Sequence, residues 1–219
     1  MDTSAASGTQ RPIGGKRGAK MAIHRIIEER AAAHGDVTAI SDSGVLLSYR
    51  ELNQRANAVA RYLIANGFRR GSLVTVCLQR SPETAIVLLG ILKAGGTYAL
   101  ADDGQEPGVA WPRGIAFAQK PEGDEMRFLA IDIASALDHP AQSCANLPIL
   151  ARGSDVACVL ADRDGNSLVH VPHETITALQ RPVSGFALWT GEPGALDLWM
   201  ALMTGATVIL GRQALETAA

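Results

Sequence analysis

Cysteine is scarce: three in 219 residues cannot build a disulfide framework, and none stands in the C-x-x-C spacing of a zinc site. Cys77 and Cys158 lie inside apolar runs and read as small buried hydrophobes, and Cys144 falls in a loop. Charge of one sign is missing too. Twenty basic residues face 22 acidic ones for a formal net charge of −2, so no field exists to steer a polyanion, and nucleic acid is excluded as a partner. No apolar run reaches the ~20 residues of a membrane span, and the first residues lack the apolar centre of a signal peptide. A cytoplasmic protein without membrane contact is expected.

Other chemistries are absent by pattern. There is no G-x-S-x-G elbow for a serine nucleophile. His139, His170 and His173 share the second half of the chain with Asp155, Asp162 and Asp164, yet no pair has the i, i+4 spacing of a zincin. His170 and Val171 should point to opposite faces of a strand. No metal site is expected, and no internal repeat is visible.

What is present is a core. With 47% hydrophobic and 19% charged residues, the composition is that of a globular protein. Residues 21–212 read as one α/β domain, between a disordered basic leader over 1–20, holding Arg11, Lys16, Arg17 and Lys20, and a short tail over 213–219.

Ile23, Ile26 and Ile27 predict a helix over 22–33, stopped by Gly35. A small hairpin follows over 37–47. Ser48-Tyr49-Arg50-Glu51 is a capping box, and Leu52, Ala56, Val59, Ala60, Leu63 and Ile64 continue at helical spacing to a left-handed stop at Gly67. Residues 73–78 read as a strand covered on both faces. Ser81-Pro82 then opens a buried helix that ends at Gly95-Gly96, and 97–100 is a second strand, parallel to the first.

Residues 101–112 carry turn formers and predict a loop, with weaker strands at 115–118 and 128–131 and irregular chain over 138–148. Residues 156–160 and 168–171 predict a β-hairpin. A helix over 174–180, a second over 195–203 and a strand over 206–210 complete the pattern.

Two stretches carry a resemblance. Leu47-Ser48-Tyr49-Arg50-Glu51-Leu52 is similar to L-[ST]-Y-x-E-L, and Leu92-Lys93-Ala94-Gly95-Gly96-Thr97-Tyr98 to L-K-A-G-x-A-Y, with Asn53, Arg55, Ala56 and Asn57 between them. Both patterns belong to the amino-terminal subdomain of nonribosomal peptide synthetase adenylation domains, within the acyl-CoA synthetase and luciferase superfamily. The resemblance runs from about Ile23 to Leu210. It implies a partial amino-terminal subdomain, a mostly parallel sheet flanked by helices. Both motifs are scaffold in that family, so they speak of fold rather than catalysis.

The family's catalytic signature is a strand, the loop T-S-G-S-T-G-x-P-K-G around the ATP phosphates, and a second strand ending in His. Residues 155–160 resemble the first strand and 169–173 the second, so His173 takes the family's histidine position. The loop between them is shorter and contains Asp162, Arg163, Asp164, Gly165, Asn166 and Ser167. Phosphate cradling needs backbone amides free to turn toward the anion, hydroxyls and a cation. One glycine remains, Ser167 takes the lysine's position, and Asp162 and Asp164 put carboxylates where triphosphate would lie. ATP binding in the family's manner is therefore not expected, and no cofactor is assigned.

In the same register Glu192 stands near the aspartate that grips the substrate's amino group, a remnant of the substrate pocket set between Gly191 and Pro193. The family's ribose-holding acidic residue and mobile carboxy-terminal subdomain with its lysine find no counterpart in the chain. Trp111, Trp189 and Trp199, with Phe186 and Met200, mark positions that pack on other parts of the parent fold, and an apolar surface for a protein partner or self-association is expected there, around Trp189, Trp199 and Met200 above all. The resemblance implies a noncatalytic adenylation-domain-like protein acting through protein contacts in or beside a nonribosomal peptide or siderophore-type pathway. Half of a split adenylating enzyme, or a binder of a small molecule or carrier domain, are the alternatives.

Overall fold

A computed structural model describes residues 21–100, 115–118, 145–148, 150–161, 168–179, 181–183, 185–190 and 195–210. The leader over 1–20, the loop over 101–112, the strand expected at 128–131, Cys144 and the tail lie outside the described residues.

Helix α1 spans Ile23–Ala33 and is followed by the hairpin β1 (Thr38–Asp42) and β2 (Val45–Ser48). Helix α2 (Tyr49–Ala65) starts at the capping box as expected: the Glu51 amide donates to Ser48 Oγ at 3.2 Å, and the Ser48 amide donates to Glu51 Oε2 at 2.9 Å. The Ser48 amide and then its hydroxyl, both donating to Glu51 Oε2, hold that carboxyl below its ordinary range. Gly67 takes the left-handed conformation at φ +86° and turns the chain into β3 (Leu73–Cys77).

Helix α3 (Pro82–Lys93) is capped by Ser81 Oγ, which accepts from the Thr84 amide at 3.2 Å. It is buried along nearly its whole length. Gly90 sets its approach to α2, because a Cβ there would stand 2.6 Å from Val59 Cγ1. Strand β4 (Thr97–Leu100) then pairs parallel to β3 in the expected crossover.

Strand β5 (Ile115–Ala118) adds to the far side of β3, while β6 (Val156–Ala161) and β7 (Leu168–Pro172) form the antiparallel hairpin. Helix α4 (His173–Ala178), strand β8 (Phe186–Leu188), helix α5 (Leu196–Thr204) and strand β9 (Thr207–Leu210) follow. The expected flanked, mostly parallel sheet is two sheets, ordered β2-β1-β9-β8 and β5-β3-β4-β6-β7. Helices occupy the space between them: α3 touches β1 and β4, and α5 packs on β8 and β9 while its Trp199 Nε1 donates to Tyr98 Oη on β4 at 2.5 Å.

Ile40 and Val208 of the first sheet and Val74, Val76 and Tyr98 of the second are fully buried in one apolar cluster. No described helix or strand packs on the other face of the first sheet. Register places Leu46, Ser41, Ile209 and Leu188 in one row across its four strands, and Phe186 beside Thr207 in the next. Leu46, Leu188 and Phe186 are exposed.

Candidate functional site

The β6–β7 hairpin is the element where the sequence places nucleotide chemistry. Ala161 pairs with Leu168, so only residues 162–167 connect the strands. Asp162, Arg163, Asp164, Gly165, Asn166 and Ser167 lie outside the described residues, as does Glu192. Their supports are described.

The entry to β6 is held by Asp155. Arg70 donates Nε and Nη2 to its two carboxylate oxygens, the closest contact at 2.7 Å, and the Arg152 amide donates at 2.8 Å. Partial burial pushes the Asp155 carboxyl up, but these donors outweigh it and hold it below its ordinary range. An open cleft beside this pair is lined by Thr97, Ser154 and His170 among others. It adjoins Leu73, Thr97 and Val156, the first residues of β3, β4 and β6. That is the strand end opposite the 162–167 connection, and ligands of parallel α/β sheets sit at the carboxyl ends.

The exit from β7 is buried. His173 is the first residue of α4 rather than the end of the strand, because Pro172 supplies the helix N-cap. Its Nδ1 accepts from the Ile23 amide at the start of α1, 3.3 Å away. Nitrogen Nδ1 therefore carries no proton, and the proton is on Nε2. His24 stands edge-on to His173 with ring centroids 5.9 Å apart. Burial, then the neighbouring His173, Lys93 and Arg25, pulls the His24 imidazole down to about 3. Burial brings His173 to about 4 against the pull of Asp155.

Beneath the two rings Lys93 of α3 donates to Glu28 of α1 at 2.5 Å, with both side chains at least 96% buried by their 1% and 4% exposures. Arg25 donates to the other Glu28 oxygen at 2.9 Å. Burial lowers the Lys93 ammonium from its ordinary value, and Glu28 raises it again. The lysine of the L-K-A-G stretch is thus a structural cation.

Around the other candidate, Glu192, the flanks are clasped. Asp197 Oδ2 accepts from the Thr190 amide at 2.7 Å and from its hydroxyl at 2.9 Å, and Arg80 donates to the Thr190 carbonyl at 3.2 Å.

A family described as AMP-binding enzyme matches residues 27–109. Bacitracin synthase 3 of Bacillus licheniformis is 41% identical over 80 residues, which is 36% of this chain and 1% of that protein. Tyrocidine synthase 1 of Brevibacillus parabrevis is 28% identical over 89% of this chain and 20% of its own length. This chain is similar to adenylate-forming enzymes over residues 27–109.

It corresponds to part of the amino-terminal subdomain of an adenylation domain. The solved amino-terminal subdomain of Klebsiella oxytoca NpsA, in complex with anthranilyl-AMSN, superposes with a TM-score of 0.76 at 21% identity, over 94% of this chain and 58% of that one. The nonribosomal peptide synthetase FmoA3, in an alpha-methyl-L-serine-AMP bound form, also gives 0.76 at 23% identity, over 90% and 24%. The chain spans a small part, at most 20%, of these two curated synthetases.

In this adenylation-domain fold the expected apolar surface is found only in part. Trp199 is fully buried and Trp189 is 6% exposed, because α5 is inserted between the sheets, and Met200 is half-buried. Of the expected residues Phe186 is exposed, at 67% on the edge strand β8, and Leu188 beside it at 47% and Leu46 on β2 at 65% are among the other exposed large apolar residues. Among the described residues no group of histidine, cysteine and acidic side chains is arranged to hold a metal ion, and no helix is long and apolar enough to cross a membrane.

Sequence reasoning missed the Glu28–Lys93 pair and His24, and it singled out His173 without its contact to α1. One signal was present. His24 and Glu28 lie on the same face of α1 as Ile23, Ile27 and Ala31, and polar residues on a core face need buried partners.

Proposed function

We propose that this chain is a noncatalytic adenylation-domain-like protein that acts through protein contacts in or beside a nonribosomal peptide or siderophore-type pathway. The observation that carries the proposal is the connection 162–167. In sequence it has one glycine, Ser167 at the position where the family has lysine, and the carboxylates of Asp162 and Asp164 in the stretch that replaces the family's phosphate loop. Two carboxylates there oppose a triphosphate, and Arg163 balances only one of them. The flanking hairpin, its Arg70–Asp155 anchor and its buried histidine keep the scaffold without that chemistry.

The face carrying Phe186, Leu188 and Leu46 is where we place the protein contact, since exposed apolar patches on a folded chain mark interaction surfaces. Such a protein would work in the cytoplasm with no cofactor of its own. Amino-acid-dependent ATP–pyrophosphate exchange by the purified chain tests the reading. No exchange with any of the common amino acids is expected, and exchange above the protein-free background sinks it.

The same exposed face favours a second reading, half of a split adenylating enzyme whose remainder covers it. NpsA's amino-terminal subdomain, of which this chain spans 58%, shows that the fold accommodates more chain. Exchange that arises only when a second polypeptide is added would select this reading over the first.

A further inference from the structure

Helix α1 begins without help from its neighbours: its N-cap, Ala22, has no side chain able to accept a hydrogen bond. The acceptor for its first amide comes from the other half of the chain, as the Nδ1 of His173 receives the Ile23 N–H at 3.3 Å. Only a neutral imidazole performs this role. Protonated at Nδ1, the ring has two donors and no acceptor, so it would point N–H at N–H and place a cation at the positive end of a helix.

The surroundings add to that penalty. His173 is fully buried, His24 is 2% exposed, and His24 Nδ1 and His173 Nε2 have no hydrogen-bond partner among the described residues. The charged and titratable groups facing the pair are Arg25 and Glu28 from α1, Lys93 from α3 and Asp155 from the turn before β6. Glu28 already has Lys93 and Arg25, and Asp155 already has Arg70 and the Arg152 amide. No uncommitted carboxylate among these residues is left to welcome a new positive charge.

We propose that His173, with His24 beside it, is a proton-sensitive fastener that ties α1 to the β6–β7 hairpin while both rings are neutral and releases it in acid. The inference does not depend on what the hairpin binds. Both imidazoles sit well below the ordinary histidine range when the chain is folded. The stability they contribute is therefore fully present above about pH 6.5, the ordinary value in the unfolded chain, and is lost as pH falls toward about 4.

Urea unfolding at pH 7.5 and pH 5.0 reads the effect. Two rings that take up protons only on unfolding raise the unfolding constant about a thousandfold between those pH values, and one ring about thirtyfold. The variant His173→Asn keeps an acceptor for the Ile23 amide but cannot titrate, so its rise should fall to about thirtyfold. A rise below tenfold in the parent, or an unchanged rise in the variant, overturns the proposal. If the variant does not fold, ring proton signals of the parent decide: His173 and His24 stay neutral down to pH 5, and titration of either near 6.5 overturns it.

Discussion

Residues 23–100 and residues 155–210 reach their folded ends by different means. In the first region the caps of α2 and α3 are local, Ser48 with Glu51, Ser81 with Thr84, and left-handed glycines at 67 and 95, while the start of α1 borrows its acceptor from His173. In the second, α4 and α5 begin at Pro172 and Ala195 with no side-chain cap bond at all. The end of α5 turns locally at the left-handed Gly205 but is also held from afar, by Tyr49 Oη donating to the Leu202 and Ala206 carbonyls at 3.0 and 2.8 Å and by Arg30 Nε donating to the Met203 carbonyl at 3.1 Å. The second region is finished by side chains of the first. The motif tyrosine of L-S-Y-R-E-L is one of the residues that does it.

The largest expected effect comes from the buried pair beneath the histidines. Lys93→Met leaves the Glu28 carboxylate deep in the core with Arg25 as its remaining cation, and should cost about 3–5 kcal/mol in urea unfolding. The double variant with Glu28→Met should recover most of that loss, since the two apolar chains replace a pair whose desolvation cost is high. A double variant as unstable as the single one would mean that the pair fixes the α1–α3 contact in a way apolar packing does not replace.

Tyr49→Phe tests the dependence of the second region on the first. It strips a buried donor from two carbonyls and should cost about 1–3 kcal/mol, with hydrogen exchange rising in α5 more than in α2. Exchange rising chiefly in α2 would contradict the comparison. Ser48→Ala is the smallest: a local cap on an exposed helix start, worth about 1 kcal/mol, with α5 exchange unchanged.

The same contrast explains what was legible in the sequence. Capping residues, glycine stops and apolar spacing are contiguous, so α2, α3 and the β3–β4 crossover were read with their ends nearly in place. Strand β8 was missed because it has three residues and is defined only by pairing with β9. Two sheets replaced one because β1 joins β9 across the length of the chain, a pairing no local pattern announces. Trp199 was expected at a surface because its burial depends on Tyr98, a residue 101 positions away, as a hydrogen-bond acceptor. Of the candidate site, the hairpin was legible from alternating apolar runs. The His173 contact with α1 was not, since it spans 150 positions.

The central proposal is that this adenylation-domain scaffold has kept its frame and lost its grip on phosphate. Calorimetric titration of the chain with Mg-ATP, run beside a complete adenylation domain as reference, tests it most directly. The account predicts no heat of binding up to millimolar nucleotide while the reference saturates. Saturable binding by this chain would contradict it.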